Sequence, residues 1–111
     1  MMSVTDQVLE EMVQAIVREV DPEQIYLFGS RARGEGGPGS DVDLLVIERE
    51  PFGRARPRLS EISRVRRALS AFRIPKDILV FSADEVEYWK DSLNHIIARC
   101  LREGQRLYGR P

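Results

Sequence analysis

Leu27-Phe28-Gly29-Ser30-Arg31-Ala32-Arg33-Gly34, followed by Ser40-Asp41-Val42-Asp43-Leu44-Leu45-Val46, is the stretch around which the chain is organised. Ile25-Tyr26-Leu27-Phe28 is a short apolar run of strand formers, and Gly29-Ser30 breaks it. The Gly- and Pro-rich residues 35–39 form a loop. The aliphatic run Leu44-Leu45-Val46-Ile47 then reads as a buried strand with Asp41 and Asp43 at its head. The predicted order is strand, tight turn, short helix, loop, strand.

Residues two apart on a strand point to one face, so Asp41 and Asp43 project together. Neighbouring like charges repel, and three remedies are open: a shared proton, a basic partner such as Arg31 or Arg33, or a bound cation. A carboxylate cluster with open positions suits Mg2+, which takes oxygen ligands and shares them with substrate phosphates. Gly29 permits a sharp turn, and Ser30 is placed to cap a short helix over Arg31-Ala32-Arg33, whose free N–H groups would face a phosphate. A phosphate cradle beside a metal site is equipment for phosphoryl or nucleotidyl transfer. Each piece alone also has a plain structural reading, as a turn or as a solvated strand end.

At 111 residues the chain has room for one domain, 1–111, with a single core. Hydrophobic residues make up 42% and charged residues 32%, the balance of a globular protein rather than a disordered one. The formal net charge of -1 offers no bulk field for nucleic acid, so direct nucleic-acid binding is not expected. The lone Cys100 excludes an internal disulfide and a cysteine-based zinc site. With His95 the only histidine, a metal site has to be built from carboxylates. No apolar run reaches the length of a membrane span and the first residues lack a signal-peptide pattern, so a cytoplasmic location is expected.

Val4 to Val20 carries apolar residues at helical spacing, with Ser3 or Thr5 as a cap and Asp21-Pro22 as the stop. That stripe is core, and Glu23 to Phe28 follows as the first strand. The stretch from Arg49 to Arg73 holds eight arginines against Glu50 and Glu61. They are read either as ordinary solvated residues or as a surface for phosphate groups or an acidic partner. Its second part, Leu59 to Phe72, reads as a helix with Leu59, Ile62, Val65, Leu69 and Phe72 on one side. Lys76 to Phe81 is the third strand, with Asp77 on the face of Leu79 and Phe81. Ser82-Ala83-Asp84-Glu85 has the pattern of a capping box and opens a short helix. Ser92 to Glu103 is the last helix, with Leu93, Ile96, Ile97, Cys100 and Leu101 along one side and His95 in a structural role. Gly104 is expected as its left-handed C-cap, and Arg106-Leu107-Tyr108 as a short edge strand.

Gly-Ser, ten residues, then Asp-x-Asp, with strand-like runs before and after, resembles the signature of the polymerase-beta-like nucleotidyltransferases. The fuller run from Leu27 to Val46 resembles their minimal branch, the MNT proteins, and Glu103-Gly104 with Leu107-Tyr108-Gly109 is similar to MNT tails. The resemblance implies an α+β (α/β) fold, a small mixed β-sheet flanked by helices. It also implies ATP as donor and two Mg2+ ions, with Mn2+ left open. Asp41, Asp43 and Asp77 would be the catalytic and metal-binding carboxylates, Asp77 being the third carboxylate that this family takes from the next strand. Asp77 could also accept the proton of an attacking hydroxyl. Gly29 and Ser30 would hold the terminal phosphates, with Arg31, Arg33 and Ser40 as further nucleotide-binding candidates.

MNT proteins are identified as antitoxins of HEPN-domain toxins. The resemblance therefore implies a hetero-oligomer with a HEPN partner and transfer of AMP to a tyrosine of that toxin. Two other functions stay open. One is a non-catalytic module that blocks a HEPN ribonuclease by contact. The other is a stand-alone transferase acting on a small molecule or RNA.

Overall fold

The computed structural model describes residues 6–34 and 41–110. Ser3 and Thr5, expected to cap the first helix, lie outside them, as does Ser40. Helix α1 runs over Asp6–Val20 and buries Met12, Val13 and Ile16, the centre of the expected stripe. Asp21 ends it in a left-handed turn (φ 47), and Pro22 cannot donate the next helical hydrogen bond. Strand β1, Gln24–Phe28, turns Ile25 and Leu27 inward and passes directly into the four-residue helix α2, Gly29–Ala32. Strand β2 is Val42–Glu48, helix α3 Arg58–Ala68 and strand β3 Lys76–Ser82. Helix α4 (Ala83–Trp89), helix α5 (Ile96–Glu103) and strand β4 (Gln105–Gly109) complete the order.

The four strands form one sheet in the order β3-β2-β1-β4. β2 and β3 are parallel, linked through α3, whereas β1 pairs antiparallel with both β2 and β4. This is the expected small mixed sheet with flanking helices. One face carries Ile25, Leu27, Leu44, Val46, Ile78 and Val80 against Met12, Ile16, Val65 and Leu69 of α1 and the α3 region. The other packs Leu45 and Ile47 with Tyr26, Phe28, Leu79 and Phe81 against Cys100 of α5 and Ala83 and Val86 of α4. Covered on both sides, the middle of β2 is apolar, which explains its unbroken aliphatic run from Leu44 to Ile47. Among the described residues no helix is long and apolar enough to cross a membrane.

Several expectations need correction. α3 starts at Arg58, and Leu59 is 75% exposed rather than part of the stripe. Six residues at 3.6 per turn place Leu59 about 120° around the helix from buried Val65. Arg58 instead turns to the protein, forking onto Glu85 and donating to Val80 O.

The last helix starts at Ile96, not Ser92, because His95 caps it: its Nδ1 accepts from Ile97 N at 3.1 Å. Leu93 is left outside, 80% exposed. The His95 ring stacks on Trp89 at 4.2 Å, so its role is structural.

Gly104 is extended (φ -84, ψ 170) rather than left-handed. It is required for another reason. A Cβ there would overlap Cys100 O and stand 2.8 Å from Leu27 O, so only glycine lets the chain pass from α5 straight into β4.

The arginine-rich stretch fits neither of its two readings as a whole. Four of its arginines fasten the fold: Arg49 to Glu23, Arg56 to Glu48, Arg58 to Glu85, and Arg64 to Glu19 and Glu61. Arg54, Arg66, Arg67 and Arg73 are exposed.

Candidate active site

Phe28, Asp43 and Asp77 stand in line across three strands, Phe28 paired with Asp43 and Asp43 with Asp77. Parallel strands begin at the same edge of a sheet, so β2 and β3 each bring their second residue, an aspartate, to one place. Asp41 immediately precedes β2. It is exposed, and fully buried Val42 separates it from Asp43, which puts both carboxylates on the opposite side of the strand from Val42. Asp77 is exposed on the edge strand and Asp43 half-buried.

Gly29 is held in the left-handed region (φ 76), and a Cβ at this position would run into Asp43 Oδ2. The backbone at the β1–α2 turn therefore lies directly against the carboxylate, an approach that only glycine allows. Ser30 does not cap α2 as expected. Gly29 absorbs the turn, so the helix begins one residue earlier, with extended Phe28 as N-cap and Ser30 inside the first turn. Among the described residues no side chain caps α2.

The electrostatics follow from this packing. Burial raises the pKa of Asp43, and the charges of Asp77 and Asp41 push it further in the same direction. The guanidiniums of Arg31 and Arg33 oppose the rise, which places both near the carboxylates. Arg33 also reaches Glu103 of α5 at 3.8 Å, and Arg99 reaches the same carboxylate at 3.4 Å.

Among the described residues no group of three or more His, Cys, Asp and Glu side chains is gathered closely enough to hold a metal ion, and this includes Asp41, Asp43 and Asp77 as they stand. The donor set nevertheless fits a hard divalent cation. It is all oxygen, its members repel one another at Asp43, and Mg2+ commonly uses one or two carboxylates with phosphate oxygens for the remainder.

The α5 wall of the site was not foreseen. The Arg99 and Glu103 spacing marks a helical pair, but their meeting with Arg33 joins residues far apart in the sequence and leaves no local signal.

Residues 9–106 match the nucleotidyltransferase domain family. The chain belongs to that family. Solved structures share the fold of this nucleotidyltransferase domain. A candidate nucleotidyltransferase of Sulfolobus solfataricus superposes with a TM-score of 0.62 at 23% identity, covering 94% of this chain and 79% of that one. A toxin–antitoxin structure with AMP-PNP gives 0.61 at 20% identity, with 91% and 73% covered. A tri-AMPylated Shewanella oneidensis HEPN toxin in complex with MNT antitoxin gives 0.57 at 17% identity, with 96% and 74% covered. No curated protein sequence matches the chain.

Proposed function

We propose that this nucleotidyltransferase moves AMP from ATP to a tyrosine hydroxyl of a HEPN-domain partner, and so acts as its antitoxin. The alignment of Asp43 with Asp77, with Gly29 pressed against Asp43, carries this reading. It provides a carboxylate pair and a side-chain-free backbone surface within one nucleotide's reach. The similar structures add support: one contains AMP-PNP, and another contains an AMPylated HEPN toxin with an MNT antitoxin.

Asp41, Asp43 and Asp77 would hold the two Mg2+ ions, or Mn2+ in their place. When bound, such ions neutralise phosphate charge and make a hydroxyl easier to deprotonate. The chain's own residues supply the rest. Gly29 and Ser30 seat the terminal phosphates on the start of α2, with Arg31, Arg33 and Ser40 as neighbouring contacts. Asp77, on the open edge of the sheet, takes the proton from the tyrosine hydroxyl. The tyrosine oxygen bonds to the α-phosphorus, the bond from that phosphorus to the bridging oxygen breaks, and pyrophosphate leaves. Holding these groups in line supplies much of the rate.

Pyrophosphate release from ATP and Mg2+ in the presence of the HEPN protein tests this. The native chain should release it only with the partner present, and Asp43→Asn should lower the rate by about 100-fold or more. Equal release by the variant, or none by the native chain, would overturn the reading.

A further inference from the structure

A cavity of about 210 Å³ lies between α5 and the turn from β1 into α2. Its apolar lining comes from Phe28, Ile96 and Cys100, and its polar lining from Arg33, Arg99 and Glu103. The four α5 residues fall at positions i, i+3, i+4 and i+7, so one helical face forms the whole wall. Glu103 is held between Arg33 and Arg99, joining the two sides. An apolar lining with a few converging polar groups is the usual make-up of a small-molecule subsite. The volume falls below the roughly 300–1,000 Å³ that holds a whole drug-sized ligand, and so suits part of one.

We propose that this cavity receives the nucleoside portion of the donor nucleotide. The inference rests on the transferase reading and adds the subsite that this reading leaves unplaced. Gly29 lines the cavity and also faces Asp43, so the cavity adjoins the turn that lies against this carboxylate. Cys100, whose thiol burial pushes up to about 11, is near enough to Asp43 to feel its charge. Phe28 offers an aromatic surface, and the guanidiniums offer planar donors that stack on or hydrogen-bond to a base.

The attacking hydroxyl belongs elsewhere. Asp77 lies on the far side of Asp43 from Phe28, because β2 separates β1 from β3. An acceptor in the cavity would sit beside Gly29, on the side where pyrophosphate departs. In-line displacement requires the opposite side.

Calorimetric titration with AMP-PNP and with inorganic tripolyphosphate, both with Mg2+, separates the nucleoside contribution from that of the phosphates. Ile96→Trp fills the cavity from a position that is 38% exposed, and Arg99→Trp does so from an exposed position one turn along. Each folded variant should weaken AMP-PNP binding by about tenfold or more and leave tripolyphosphate within about twofold, since tenfold corresponds to the loss of only a few contacts. AMP-PNP affinity unchanged in both variants would overturn the subsite and leave the transferase reading intact. AMP transfer lost with AMP-PNP affinity retained would assign the cavity to the acceptor and overturn it too. A native protein that binds neither ligand would remove the transferase reading, and the subsite with it.

Discussion

Asp43 of β2 and Asp77 of β3 are register partners on adjacent parallel strands, each the second residue of its strand. Burial, then the charges of Asp77 and Asp41, hold the Asp43 carboxyl above its ordinary value of 3.8. A carboxyl raised in the folded state favours the fold while protonated, and that benefit is lost as pH rises through the folded value. At neutral pH the ionised group therefore costs stability. Asp43→Asn should raise Tm at pH 7 by about 2 °C, allowing for solvent screening, and the difference should fade below pH 3.8. Mg2+ should raise the Tm of the native chain more than that of the variant. Thermal unfolding across pH, with and without Mg2+, checks both statements.

Gly29→Ala combines a left-handed backbone with a clash against Asp43 Oδ2. It should cost about 1–3 kcal/mol in chemical denaturation. Adding Asp43→Ala should recover part of that loss, because it removes the clash and leaves the backbone strain. Full additivity of the two substitutions would show that the contact has no energetic weight.

Glu48 ends β2 as a buried carboxylate, 2% exposed, with Arg56 Nη2 at 2.5 Å. Burial first, and then Glu61 beside it, push its pKa up to about 7 against the pull of Arg56. Stability should therefore decline as pH rises from about 4.5 to about 7, by the same linkage as at Asp43. Glu48→Gln should flatten that slope in urea denaturation. An unchanged slope would place the titrating group elsewhere.

Gly104→Ala should destabilise by about 2 kcal/mol or more, since both of its close neighbours are backbone oxygens that cannot turn aside. Gly53→Ala, with nothing within 4 Å of the added methyl, should be close to neutral. Denaturation midpoints of the pair provide the comparison.

The sheet was readable because its strands carry strong local signals. β2 is apolar and buried without a break from Leu44 to Ile47, and Ser82 with Glu85 forms the capping box that its spacing predicts. Asp41 and Asp43 were readable because the two-residue period puts them on one face, whereas Asp77 came only with the family resemblance, since no local signal says that β3 lies beside β2. Other features depend on distant partners. His95 caps α5 although histidine is not a customary N-cap residue, and Gly104 serves a close approach rather than a reversal. The internal pairing of Arg49, Arg56, Arg58 and Arg64 is decided by acidic residues mostly supplied by other elements. The cavity wall on α5 is of the same kind, assembled only when that helix folds over the β1–α2 turn.

Intact-protein mass spectrometry of the HEPN partner, after incubation with this protein, ATP and Mg2+, tests the central claim most directly. The native chain should add one or more AMP masses to the partner, and Asp41→Asn with Asp43→Asn, shown to fold and to bind the partner, should add none. A partner that gains no mass, yet is bound and inhibited equally by both forms, would contradict the account and make the protein a blocking module.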